Sequence, residues 1–132
     1  MKEINTDIIN NLCRIAGVLE LDNKFGEPFI QAFERFVPQS HNEVLIASYT
    51  CSLFLSVIFN KFPTDKLNTF VHFAKEHYNR FSFNCKMYEE IFSHISNNSL
   101  KRVALLDDKG NIMHRECTKQ DIFEAFDFYT NI

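Results

Sequence analysis

The stretch VLIASYTCSLFLSVIF, Val44 to Phe59, contains no charged residue. A segment with a polar side lies on a surface, whereas one without a polar side must be enclosed by protein or by lipid. As a helix these sixteen residues rise about 24 Å, short of the roughly 30 Å of hydrocarbon in a bilayer. Ser48, Tyr49, Thr50, Ser52 and Ser56 also interrupt the apolar run. The pattern therefore predicts the central buried helix of a bundle and no membrane association. Ser48, Ser52 and Ser56 recur every four residues, so they form a stripe of small side chains along which a neighbouring element can come close.

The flanking sequence supplies the partners for such a helix. Thr6 or Asp7 caps a first helix, with Ile8, Leu12, Ile15, Ala16 and Leu19 on one face. Gly26 and Pro28 break the chain, and a short helix burying Phe29, Ile30, Phe33 and Phe36 follows and stops before Pro38. Ser40 caps the central helix and Pro63 ends it. A fourth helix from Thr64 or Asp65 has Leu67, Phe70, Val71, Ala74, Tyr78 and Phe81 in phase, with Glu76 and Arg80 as an i,i+4 pair. A fifth, about 84–96, presents Tyr88, Ile91, Phe92 and Ile95, and fades at Ser96-Asn97-Asn98-Ser99.

From Lys101 the pattern changes. Two short runs, Lys101 to Leu106 and Asn111 to Arg115, flank Asp107-Asp108-Lys109-Gly110, a turn in which glycine supplies φ > 0. A lone hairpin is marginal, so it must pack on the helices, closing one end of the bundle and aiming the last helix outward. Thr118 and Asp121 resemble a capping box opening that helix, Lys119 to about Tyr129. The expected fold is mostly α: one domain, 1–132, of about six helices with a C-terminal β-hairpin at about 101–115.

Composition narrows the function. Fifteen Phe with no Trp, three Gly and three Pro suit a compact ring-filled core with short connections. The net charge of −3, with no basic run, argues against a nucleic-acid partner. Cys13, Cys51, Cys85 and Cys117 form no CxxC pair, and the N-terminus lacks the apolar stretch of a signal peptide. Four reduced thiols in a cytoplasmic protein are expected.

Chemistry-bearing motifs are missing. His72 and His77 are five apart, not the four that would share a helix face. His114 and Cys117 have an HxxC spacing without further zinc ligands nearby in sequence. Cys85 or Cys117 with a histidine as base is the thin enzymatic option, since such partners meet only in space. Glu89 and Glu90 diverge on a helix, and Asp107-Asp108 is turn chemistry. No GxGxxG, GxxxxGK[ST] or GxSxG occurs. No catalytic residue, metal or cofactor is assigned.

A candidate surface remains at the C-terminus. From Val103 onward six acids face three bases, a net −3 that equals the charge of the whole chain. On the last helix Ile122, Phe126 and Tyr129 form the apolar side, and Asp121, Glu124 and Asp127 the other, with Phe128 between Asp121 and Glu124. Either this is a solvated face with Phe128 tucked against the hairpin or frayed near the terminus, or it is an acidic patch around an aromatic anchor for a basic protein surface. The second alternative makes Asp121, Glu124, Asp127 and Phe128 the partner-binding residues.

In small size, acidic tail and absence of motif the chain resembles, in type, the immunity proteins with which bacteria neutralise their own delivered toxins. That resemblance implies a non-enzymatic module that blocks a toxin domain, often a basic nuclease, by direct binding. The rival expectations are a helical regulatory domain enclosing a small apolar ligand and a phage or viral inhibitor of a host protein.

Overall fold

The computed structural model describes residues 4–21, 24–36, 41–80, 82–95 and 101–132. Within them lie the helices α1 (Ile4–Ala16), α2 (Glu27–Phe36), α3 (His41–Asn60), α4 (Thr64–His77), α5 (Tyr88–Ser93) and α6 (Lys119–Thr130). A 3-10 turn at Cys85–Met87 precedes α5, and strands β1 (Lys101–Leu106) and β2 (Ile112–Cys117) precede α6. This is the mostly helical bundle with a C-terminal hairpin that the sequence pattern predicts.

The uncharged run is uncharged because α3 serves two cores. Val44, Ala47, Cys51 and Leu55 pack with Phe29 and Phe33 of α2, Val103 and Leu105 of β1, and Phe126 and Tyr129 of α6. Leu45, Ile46, Tyr49 and Leu53 pack with Ile8 and Leu12 of α1, Phe70 and Ala74 of α4, and Leu106 of β1. A helix enclosed on both sides has no place for an ion, whose burial without a partner is costly. By length and composition α3 could cross a membrane, yet 67% of its most apolar window is buried in the protein itself.

The phenylalanines concentrate in the first core. The Phe126 ring lies 5.2–6.1 Å, centroid to centroid, from Phe29, Phe33, Phe83, Tyr88 and Phe123. Such pairs are worth about 0.5–1.5 kcal/mol each beyond the area they bury. With Ile122, Ala125 and Tyr129 also buried, α6 lies on the core instead of pointing outward. Its capping box forms as read: Thr118 Oγ1 accepts from the Asp121 N–H at 3.1 Å, and the Asp121 carboxylate accepts from the Thr118 N–H at 2.9 Å.

Several element ends differ from the periodic reading. α1 begins at Ile4, so Thr6 and Asp7 fall inside it. It ends at Gly17, whose φ of 81° lets its own N–H and that of Val18 return to the Cys13 carbonyl. Leu19, placed in phase by periodicity, lies past this cap and is fully exposed. α4 stops at His77, so Glu76 and Arg80 do not share a helix; Glu76 pairs with His72 at 3.3 Å and Arg80 donates to the Ile132 carbonyl at 2.9 Å. α5 is shorter than expected because Asn84 caps the 3-10 turn ahead of it, accepting from the Lys86 N–H. The readings placed on Pro38, Ser40, Phe81, Ser96 to Ser99 and the side chain of Phe36 lie outside the described residues.

Candidate functional site

Two helix ends build a polar pocket. α3 opens with His41, Asn42 and Glu43 before its apolar run, and α4 closes with Lys75, Glu76 and His77. Tyr78 is extended, at φ −139° and ψ 153°, and its N–H caps the Ala74 carbonyl, turning the chain away from the helix axis. The space between these ends is a pocket of about 350 Å³ walled by Asn42 and Glu43 on one side, by Lys75, Glu76 and His77 on the other, and by Tyr78 and Asn79. Glu76 is steadied by its contact with His72.

The chemistry of this pocket is recognition of hydroxyl and carboxylate groups. Two amides donate and accept, two carboxylates accept from hydroxyls, and the Lys75 ammonium matches an anion. The first N–H groups of α3, which have no intrahelical acceptor, add positive partial charge on the same side. The sequence offered no signal for this site, since Asn42 and Lys75 belong to different helices and neither sits in a motif.

The residues singled out in sequence fare differently. Asp121 is engaged in the capping box, so it holds the helix start and is not free for a partner. Glu124 is exposed and accepts from the Gln120 amide at 3.3 Å. Asp127 is exposed and accepts from the Tyr88 hydroxyl at 2.7 Å. Burial foremost pushes Tyr88 up to about 12, so it stays a neutral donor. Phe128 does not stand off the packed surface. Its ring stacks on Phe54 of α3, with centroids 4.9 Å apart and an interplanar angle of 21°. It packs on α3 at the edge of the core that also holds Leu106 of β1.

Burial governs the thiols of Cys51 and Cys117. Cys117 is buried, and burial raises it to about 11, which suppresses the nucleophilic thiolate at neutral pH. Cys51 is buried and raised for the same reason, and its thiol donates to the Ala125 carbonyl at 3.6 Å. His114 and Cys117, three apart on β2, fall on opposite faces of the hairpin. Among the described residues no three His, Cys, Asp or Glu side chains are arranged to hold a metal ion.

No family model matches the chain, and no solved structure matches it. A curated protein of Parabacteroides distasonis named 3-dehydroquinate synthase is 30% identical over 116 residues, which is 80% of this chain and 33% of that protein. The chain therefore spans about a third of the length of the curated relative it matches. By its name that relative is an enzyme. This overturns the expected immunity role, since the similarity leads to a synthase and not to a toxin inhibitor. The error has a physical source: a small, acidic, motif-free helical domain has the same composition whether it inhibits a toxin or resembles part of an enzyme.

Proposed function

We propose that this chain is a ligand-holding helical module related to 3-dehydroquinate synthase. Its pocket between α3 and α4 binds a small hydroxylated carboxylate, of which 3-dehydroquinate is the named candidate. The observation that carries this reading is the pocket itself, whose lining brings Asn42, Glu43, Lys75, Glu76 and Asn79 around one space. Amides and carboxylates suit ring hydroxyls, and Lys75 suits the carboxylate. By itself the module holds the ligand and does not turn it over. The partner implied is a protein carrying the functions of the larger part of such an enzyme.

Titration of 3-dehydroquinate into the isotopically labelled chain tests this. The expected result is movement of the Asn42, Glu43, His77 and Asn79 amide resonances, with Lys75→Met weakening binding about tenfold, as loss of a charge-assisted hydrogen bond should. No shift in these residues up to about 10 mM ligand, well above the range of a specific site, would overturn the assignment.

A further inference from the structure

A second recess shares Lys75 with the first. It is a groove of about 490 Å³ between α3, α4 and α6, with Phe54, Val71 and Phe128 among its apolar lining and Lys75, Glu124 and Asp127 among its charged groups. The volume falls in the range of small-molecule sites, and the mix of apolar floor and few polar groups is typical of them. Phe54 and Phe128, stacked on each other, lend apolar ring surface to the groove for an apolar side chain.

The charges are arranged in an informative way. Lys75 comes from α4, whereas Glu124 and Asp127 come from α6, so opposite signs face one groove from different helices. They do not pair with each other: the Asp127 carboxylate accepts from Tyr88, the Glu124 carboxylate from Gln120, and Lys75 makes no ion pair within 4.0 Å among the described residues. A ligand carrying both an ammonium and a carboxylate supplies each side of the groove with the charge it lacks, through charge-assisted hydrogen bonds.

We propose that this groove binds a free amino acid with a large apolar side chain, its carboxylate on Lys75, its ammonium on Asp127 and Glu124, and its side chain on the Phe54 and Phe128 rings. This site shares Lys75 with the pocket between α3 and α4, and the rest of its lining belongs to it alone. Each half of the ligand has its own complement: removing either charge leaves one end of the groove unmatched, and removing the side chain leaves the ring surface uncovered.

The test uses the intact chain with L-leucine, and with N-acetyl-leucine and leucinamide, which lack the ammonium and the carboxylate charge respectively. L-Leucine should bind with a dissociation constant of about 1 mM or below, moving the amide resonances of Val71, Phe128 and Asn131. Each blocked form, and each of the near-isosteric variants Lys75→Met and Asp127→Asn, should bind about tenfold more weakly or worse. Circular dichroism of the two variants, matching the parent, ties the loss to the groove. Equal binding of the blocked forms, or no binding of L-leucine up to about 10 mM, would overturn the proposal, as would shifts confined to residues outside the groove.

Discussion

The hydroxyl of Ser56 accepts the Leu106 backbone N–H at 2.9 Å while donating to the Ser52 carbonyl at 2.8 Å. One buried side chain thus fastens the outer edge of β1 to the central helix, where strand pairing with β2 leaves that N–H unmatched. Ser56→Ala strands a buried donor and should cost about 1–3 kcal/mol. Ser52→Ala should be close to neutral, because the Ser52 hydroxyl is buried without a hydrogen-bond partner and its carbonyl survives the substitution. Denaturant unfolding of the two variants distinguishes them; equal losses would show that volume, not the Leu106 bond, governs this stripe.

Gly110 makes a second such junction. Its φ is 85°, and a Cβ placed there would meet the Val18 Cγ1 at 2.3 Å, so the turn of the hairpin sits tightly against the segment after α1. Gly110→Ala combines a left-handed conformation unfavourable for alanine with a steric clash, and should cost more than about 1 kcal/mol. A melting temperature equal to that of the parent would mean that turn and segment separate freely. The Asp107 carboxylate, accepting from the N–H groups of Lys109 and Asn111 at 2.9 and 2.8 Å, holds the same turn from inside.

The part of the fold that was legible followed from periodicity and capping. The uncharged run from Val44 predicted an enclosed helix, and Thr118 with Asp121 predicted a helix start, because both signals are local. What was not legible depended on contacts distant in sequence. Leu19 keeps the phase of α1 yet lies beyond a glycine cap, and Phe128 lies off the apolar stripe of α6 yet finds Phe54 on another helix. The pocket between Asn42 and Lys75 arises only when two helix ends meet, so no spacing rule could locate it. Asp121 was legible twice, as a cap and as part of an acidic face, and the cap is the role its hydrogen bonds fulfil.

Alkaline pH should unfold this protein through its tyrosines. Burial, with a smaller contribution from Cys13, pushes Tyr49 up to about 12 from an ordinary value of 10.0, and burial foremost does the same to Tyr88. Tyr129 is raised as well, again chiefly by burial. The folded protein favours the neutral phenol, so this stabilisation is complete below pH 10 and is lost as pH rises from there through about 12. Denaturant midpoints should therefore fall across that interval, and Tyr49→Phe should soften the fall. A spectrophotometric titration in which every tyrosine ionises near its ordinary value before unfolding would contradict the burial of these rings.

Lys75 lines both the polar pocket and the groove, and one ammonium cannot serve two carboxylates at full strength. If both proposed ligands use it, they must oppose each other. Saturating L-leucine should weaken 3-dehydroquinate binding by about three- to tenfold, the scale of one charge-assisted hydrogen bond. Because coupling between two bound ligands is reciprocal, 3-dehydroquinate should weaken L-leucine by the same factor. Lys75→Met should lower both affinities and abolish the antagonism, whereas Asn79→Ala should weaken only the pocket ligand and leave the groove untouched. Paired calorimetric titrations, each ligand measured with and without the other, read all of these quantities. Two ligands that bind with undiminished affinity in each other's presence would remove Lys75 from one of the two sites, and the variant that spares one ligand would show from which.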